Sequence, residues 1–312
     1  MYTEVSQVRP TSLNHLVGNR AVVNQVRVAI DAAQQDSHRM VNAAMLGGPG
    51  LGKSLLASVI ADELASGFLE VLGQNLQKPA DLSALLLKAT SRCVVHIDEA
   101  HELPKQIQTA LYMALDQRVL KVPGGEGVQN LPLEDFTLLL STTDEYALLP
   151  PLVSRMKLLL HFEFYSEADL ERIVETRAKA LHWEMESTVL PGIASRSRSI
   201  ARRALNILES SRRICRAEGE GLITLEHLEK ACRIDGIDAG GLERRDRQYL
   251  RLLLDRPMKV NVLASSLGIP MKTLNTHIEP PLIRLGWLTK DEQGRRCITE
   301  RARTHLKEVG DE

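Results

Sequence analysis

Short, almost wholly apolar runs alternate with longer stretches in which apolar residues recur every three or four positions, and this alternation organises the first half of the chain. Ala43 to Leu46, Cys93 to Ile97 and Phe136 to Leu140 are the clearest runs, with Leu69-Glu70-Val71 and Leu158 to Phe164 as further strand candidates. Runs of this length read as strands buried on both faces. Between them, Val22, Val23, Val26 and Ile30 mark one helical face, and Leu55 to Leu64 marks a second. Leu82, Leu85 and Leu86, then Ile107, Leu111, Ala114 and Leu115, mark two more. Strands alternating with helices predict an α/β fold with a parallel sheet. Pro123-Gly124-Gly125-Glu126-Gly127 predicts an exposed loop or hairpin.

From Tyr165 onward the pattern predicts helices only. Leu170, Ile173 and Val174 lie on one, Ile200 to Arg213 forms another, and Leu225, Leu228 and Ala231 lie on a third that Thr224 can cap. Gly236, Gly240 and Gly241 then punctuate a boundary. Beyond it come a helix through Leu250 to Leu254, a helix at Val260 to Leu267, the turn Gly268-Ile269-Pro270 and a helix from Met271. That order is a helix-turn-helix. Gly286 then opens a short hairpin in which Lys290, Gly294, Arg295 and Arg296 cluster, resembling the wing of a winged helix. The expected division is a large α/β domain over 1–165, a small helical lid over 166–240 and a winged-helix head over 241–312.

Onto this framework the sequence places chemistry. Gly47-Gly48-Pro49-Gly50-Leu51-Gly52-Lys53-Ser54 is a G-x-x-x-x-G-K-S phosphate loop between a strand and a helix. Its backbone N–H groups and the helix N-terminus suit phosphate oxygens, Lys53 suits the β- and γ-phosphates, and the Ser54 hydroxyl suits magnesium. The strand ending at Ile97 leads into Asp98-Glu99. There Asp98 can hold magnesium through water, and Glu99 can polarise an attacking water. Ser141-Thr142-Thr143 ends the third strand, where a small hydroxyl can sense the γ-phosphate.

Composition narrows the partners. Charged residues make up 25% of the chain and the formal net charge is -1, so nucleic-acid contact must come from local patches such as the wing. Cys93, Cys215, Cys232 and Cys297 lack zinc-ligand spacing and fit reduced, cytoplasmic thiols. No apolar run approaches the length that spans a bilayer, so no membrane partner is expected.

Taken in order, the phosphate loop, His96-Ile97-Asp98-Glu99-Ala100-His101, Ser141-Thr142-Thr143 and Pro151-Leu152-Val153-Ser154-Arg155 resemble the AAA+ ATPases, and more narrowly the RuvB family. Leu103, Gly125-Glu126-Gly127, Glu163-Phe164-Tyr165, Ile237-Asp238-Ala239 with Gly241, and Glu279-Pro280 followed by Gly286 and Gly294-Arg295 extend the resemblance from about Arg9 to about His305. It implies a hexameric, ATP- and magnesium-dependent motor that moves duplex DNA at Holliday junctions in recombination and repair, with RuvA as its junction-binding partner. It further implies nucleotide contacts at Arg9, Pro10, Gly47, Gly50, Leu51, Gly52, Lys53, Ser54, Leu55 and Tyr165. Asp98 and Glu99 match the hydrolysis pair, Thr142 or Thr143 the first sensor, and Arg155 the arginine finger. Lys290 and Arg295 fall where the family contacts DNA, with Arg296 beside them in the basic cluster.

Several positions depart from the family pattern. Val153 and Asp144 stand where arginines are expected, and Ser199 takes the place of the second-sensor arginine, for which Arg198 and Arg202 are the expected substitutes. The segment between Gly127 and Phe136 is shorter than the family's hairpin, the part that docks on RuvA. The rival readings are an ATP-switched initiator, which also joins an AAA+ module to a winged helix, a clamp-loader-like subunit, and an ATP-binding scaffold without turnover.

Overall fold

Parallel pairing of five strands puts the motif-bearing strand ends on one edge. The computed structural model describes residue 5, residues 8–124 and residues 127–309, so Gly125 and Glu126 of the expected loop lie outside the described residues. The chain divides into two units, Met1–Asp169 and Leu170–Glu312.

In the first unit the strands are β1 (Ala43–Leu46), β2 (Phe68–Leu72), β3 (Val94–Asp98), β4 (Val119–Gly124), β5 (Gly127–Pro132), β6 (Thr137–Thr142) and β7 (Leu158–His161). β4 and β5 pair with each other as an antiparallel hairpin, and the other five form one sheet in the order β2-β3-β6-β1-β7, parallel throughout. On one face Val95, Ile97, Leu138, Leu140, Ala44 and Leu46 pack with Leu82 and Leu86 of the helix Pro79–Leu86 and with Ile107 and Leu111 of the helix Lys105–Gln117. On the other, Ala43, Met45, Val94, Leu139 and Leu160 pack with Leu56, Val59 and Ile60 of the helix Lys53–Glu63 and with Val22, Val26 and Ile30 of the helix Arg20–Gln35. With both faces covered, the inner strands read as continuous apolar runs, which is why they are legible as strands.

The run Leu158 to Phe164 does not stay a strand to its end. Among the described residues β7 is an edge strand that pairs with β1 alone, and after the bond from Phe162 N to Leu46 O (2.7 Å) β1 turns into the phosphate loop. Phe162 therefore leaves the sheet and packs beside Gly47, where any added Cβ would come within 2.9 Å of it.

The second unit is not purely helical before its wing. β8 (Glu184–Met185) and β9 (Leu222–Ile223) form a two-residue parallel pair. The helices Val189–Arg196, Ala201–Ala217 and Leu225–Ile234 surround it, the last capped by the Thr224 side chain as expected. Val189–Arg196 is not anticipated from the sequence, because Pro191-Gly192 reads as a breaker. Pro191 sits in the first turn, where its missing N–H would have had no intrahelical partner.

The remainder of this unit is a helix-turn-helix with a wing. Arg244–Arg251 and Val260–Leu267 lead to a composite helix, Met271–Thr273, a π-helical turn Leu274–Ile278, and Glu279–Arg284. Pro280 and Pro281 lack the N–H groups that a regular α-ladder would use, and the wider turn directly precedes them. β10 (Leu288–Lys290) and β11 (Arg296–Ile298) form the wing, followed by the helix Glu300–Val309, which the sequence reading did not include. Tyr249, Leu263, Leu274, Leu282, Trp287 and Leu306 share one core.

A polar seam ties the helical part of this unit to its winged helix. Arg198, buried, donates from Nε to Gly241 O at 2.6 Å and forms an ion pair with the equally buried Asp246. Arg284 Nη2 caps Arg198 O at 2.8 Å, and His305 Nε2 lies 3.0 Å from Asp238 Oδ2. Gly241 has φ +75°, and a Cβ there would sit 2.7 Å from Arg196 O, so both conformation and space require glycine. Asp246→Ala would leave the Arg198 guanidinium buried without its carboxylate, a loss of about 3–5 kcal/mol. Chemical denaturation should show a lower midpoint for the transition of this unit, and an unchanged midpoint would mean that the pair contributes nothing.

Candidate nucleotide site and wing

The phosphate loop follows β1 and runs into the helix Lys53–Glu63. Gly47 has φ +149° and Gly52 φ +95°, conformations that let the loop fold back around a central space. Into that space Lys53 Nζ donates to Gly47 O at 2.8 Å and to Gly48 O at 2.9 Å. A cation held within a ring of backbone groups at a helix N-terminus is what a phosphate chain requires, so the residues present fit a nucleotide. Ser54 Oγ donates to Asp98 Oδ2 at 2.7 Å, joining the loop to the end of β3 across the intervening β6. This hydroxyl and carboxylate are the pair that would hold a divalent cation beside the phosphates.

Glu99 follows in the left-handed region (φ +49°), and its N–H donates to Asp98 Oδ1 at 2.9 Å. This turn sends the two adjacent carboxylates in different directions. Glu99 Oε2 lies 3.3 Å from His101 Nδ1, which lies 3.2 Å from Thr142 Oγ1. Thr142 is buried at the end of β6 and also donates to Asp144 O at 2.9 Å, while Thr143 is exposed and, among the described residues, makes no such connection. Of the two candidate sensors, Thr142 is thus the one joined to the hydrolysis pair. His101 was quoted in the sequence motif without a role, and its position three residues after Asp98 was the available signal.

Tyr165 donates its hydroxyl to Leu51 O at 2.8 Å and lies against Gly18 and Gly52, so it stands beside the loop. Burial raises its hydroxyl pKa, opposed by a hydrogen bond from Asn19. Leu51 is buried, Gly50 and Leu55 are half-buried, and Gly50 has φ +74°. Arg9 is exposed and Pro10 half-buried. The segment after them is anchored by Ser12 Oγ and Leu13 N, both 2.8 Å from Glu63 Oε1, at the end of the loop helix remote from the phosphates. Among the described residues no hydrogen bond or ion pair joins Arg9 to the loop.

Arg155 lies after the short helix Pro150–Val153 and is held by its own chain. Nε and Nη2 reach both oxygens of Asp116 at 2.5–3.2 Å, Nη1 donates to Pro151 O at 2.7 Å, and the guanidinium sits 5.2 Å from the Tyr112 ring centroid. The hydrogen bond from Arg155 holds the Asp116 carboxyl below its ordinary pKa. Asp116 carries no sequence signal beyond an exposed position on a helix.

Two expected site residues are corrected. Arg198 cannot stand in for the second-sensor arginine in this conformation, since its guanidinium is consumed by Gly241 and Asp246. Arg202, exposed at the second position of its helix, remains available. Arg296 is not a DNA contact either. It is buried, its Nε and Nη2 lie 2.8 and 2.9 Å from the two oxygens of Glu279, and Nη2 also reaches Asn275 Oδ1 at 3.0 Å. Burial raises the Glu279 carboxyl pKa, but hydrogen bonds from Arg296 and Tyr249 outweigh it and hold the group below its ordinary value. The wing therefore presents Lys290, 3.4 Å from Glu279, and Arg295, 2.7 Å from Asp291, both about half exposed.

Comparison with known proteins follows the same outline. The family described as the Holliday junction DNA helicase RuvB P-loop domain matches residues 8–162, and the RuvB C-terminal winged helix domain matches residues 239–307. The Holliday junction branch migration complex subunit RuvB of Ehrlichia chaffeensis is 34% identical over 308 residues, covering 96% of this chain and 93% of that protein. The structure of the Thermotoga maritima RuvB Holliday junction branch migration motor superposes with TM-score 0.83 at 31% identity, over 96% of this chain and 98% of its own. An Aeropyrum pernix ORC2 structure, TM-score 0.62 at 16% identity over 95% of this chain and 92% of its own, shares the fold alone.

Lys53→Ala should weaken nucleotide binding about 10- to 100-fold, the ~1.5–3 kcal/mol of a charge-assisted hydrogen bond. Glu99→Gln should bind normally and fail to hydrolyse. Equilibrium binding of a fluorescent nucleotide and phosphate release separate the two, and normal turnover by the glutamine variant would remove Glu99 from its role.

Proposed function

Since the chain belongs to the RuvB family, we propose that it is an ATP-hydrolysing motor that drives branch migration of Holliday junctions during recombination and repair. The observation that carries this reading is the coincidence, in one chain, of the linked loop and hydrolysis pair (Ser54 Oγ to Asp98 Oδ2, 2.7 Å) with a winged helix whose wing exposes Lys290 and Arg295.

The roles follow from the geometry. Lys53 would exchange its loop carbonyls for the terminal phosphates, and Ser54 with Asp98 would hold magnesium, which would supply charge neutralisation on the transferring phosphoryl group. Glu99 accepts a proton from the attacking water, and His101 links that carboxylate to Thr142, so the sensor and the base move together. Tyr165 closes the loop from the side of Leu51, and Arg202 replaces the missing second-sensor arginine.

Arg155 serves the neighbouring subunit of a hexameric ring. Its guanidinium is held at the surface by Asp116 and Tyr112, where the carboxylate can be exchanged for a phosphoryl oxygen. The helical part of the second unit, to residue 240, acts as the lid, and residues 241–312 as the DNA-contacting head. The β4–β5 hairpin is the surface for a RuvA-like partner, and the working compartment is the cytoplasm.

The initiator reading rests on likeness of fold at 16% identity and has no site to favour it. Wing contacts with phosphates distinguish the two. Neutralising Lys290 and Arg295 should weaken all duplexes alike and lower the salt-dependence slope by roughly 0.9 per lost contact. Fluorescence anisotropy on several sequences checks this, and a loss confined to one sequence would favour an initiator.

Arg155→Ala should bind ATP yet turn over about a thousandfold more slowly. Mixed with Lys53→Ala protein, it should regain ATPase activity, because some interfaces then join an intact loop to an intact arginine. A mixture that assembles but stays inactive would refute action across the interface.

A further inference from the structure

At the hydrolysis pair lies a side-chain cluster of which the proposed function uses only Asp98. Glu70 of β2 is the direct register partner of His96 on β3, and Asp98 is two residues further along the same strand face. One ligand atom from each of the three lies within 4.8 Å of the others. The His96 ring is wholly buried, with Phe68 stacked on it at 6.0 Å, while about half of the Glu70 side chain is exposed and opens the cluster to solvent. Nδ1 of His96 is 3.0 Å from Glu70 Oε1, and Nε2 is 2.8 Å from Ser141 Oγ.

We propose that Glu70, His96 and Asp98 form a binding site for a transition-metal dication of the zinc or cobalt class, separate from the magnesium position but sharing Asp98 with it. The proposal rests on the assignment of Asp98 to the hydrolysis site only for its effect on turnover. One imidazole and two carboxylates favour such ions over magnesium, which prefers oxygen alone.

Proton accounting supports the site. In the neutral ring the single proton sits on Nδ1 facing Glu70, and Nε2 accepts from the Ser141 hydroxyl. A cation taking the Nδ1 lone pair moves that proton to Nε2, where Ser141 Oγ, able to accept as well as donate, receives it. No proton is gained or lost, and the serine becomes the outer partner that orients a metal-bound imidazole.

The second His-carboxylate group, Glu218, Glu220 and His227, fails the same accounting. His227 Nδ1 accepts from Thr224 N–H at 3.0 Å, a donor that cannot reverse, so the ring proton stays on Nε2 and faces Glu218 at 3.2 Å and Glu220 at 3.4 Å. Lys230 further occupies Glu218 at 3.0 Å. That histidine is a helix cap.

A cation on Glu70, His96 and Asp98 draws on the carboxylate that Ser54 and the magnesium need, so it acts as a brake on turnover. In the order of strands β2 flanks β3 on the side away from β1, so the brake is reached without entering through the phosphate loop.

The test is titration of the nucleotide-free full chain with Co²⁺, read by visible d–d absorption. One equivalent is expected to bind, Glu70→Gln to lose it, and Ser141→Ala to weaken it about 10- to 100-fold with all three ligands retained. Glu70→Gln changes a half-exposed side chain, and a thermal melt checks that it folds as the parent does. In a second arm, Zn²⁺ added against excess magnesium should inhibit parent ATPase and leave Glu70→Gln active. No d–d band, a thiolate charge-transfer band in its place, or equal Co²⁺ binding by parent and Glu70→Gln would overturn the site. Equal zinc inhibition of both would overturn the brake. A parent without ATPase activity in any condition would overturn the motor reading, with the Co²⁺ arm still deciding the site.

Discussion

The bond from Ser54 Oγ to Asp98 Oδ2 depends on strands that are not neighbours. Ser54 belongs to the first turn of the helix that follows β1 and the phosphate loop, Asp98 belongs to the end of β3, and β6 lies between the two strands. The two side chains meet only because all three strands run in the same direction and end at one level, with Ala43 to Leu46 paired against Leu139 to Thr142, and Val94 to Ile97 against Thr137 to Leu140. A slip of one residue in β6 would exchange its two faces, moving Leu139 and Leu140 out of their cores and Thr142 away from His101. The apolar burial that fixes the register is therefore also what fixes the chemistry. β6 is buried along its whole length, including the hydroxyls of Thr137, Ser141 and Thr142, each of which has a hydrogen-bond partner.

This dependence explains which parts could be read from sequence. The phosphate loop, Asp98-Glu99 and the Ser141-Thr142-Thr143 strand end are contiguous motifs attached to buried strands, and both the motif and the apolar run persist in a single sequence. Tyr165 was reachable only through family resemblance, since no local pattern says that a tyrosine 114 residues after Leu51 returns to its carbonyl. Asp116 and Asp246 carried no signal, and Glu279 entered only as part of the family resemblance, with no sign of its partner. Each is an acid on a helix, and what distinguishes it is an arginine 39, 48 or 17 residues away that arrives by tertiary folding.

The same limit accounts for the two misassigned arginines. Arg198 lies next to the position where the family places an arginine, and Arg296 lies next to Arg295 in a basic cluster, so in sequence each is interchangeable with its neighbour. In space they part where the wing's second strand begins, because β11 starts at Arg296 and Arg295 still belongs to the turn before it. Arg295 goes to solvent beside Asp291, and Arg296 goes into the head, where Glu279 receives it. For Arg198 the left-handed backbone at both Arg198 and Ser199 (φ +53° and +60°) turns the side chain into the seam, while Arg202, a turn further on, stays exposed. A count of cations overstates a binding surface whenever the burial of each is ignored.

Two arginines proposed for function, one on the wing and one after the Pro150–Val153 helix, are each kept by an acid of their own chain. Arg295 rests on Asp291 and Arg155 rests on Asp116. These are solvent-exposed or half-exposed pairs whose net stabilisation is small, because Coulomb attraction near water is screened and long side chains lose entropy when they are held. A small net stabilisation is what exchange requires. A phosphate replacing the carboxylate would recover a charge-assisted hydrogen bond of similar strength, so releasing the arginine would add little to the barrier. The buried pairs behave oppositely. Arg198 with Asp246 and Arg296 with Glu279 have no water to replace a lost partner, so they hold the second unit's geometry and take no part in exchange. Burial, more than charge, separates the arginines proposed to act from those that brace.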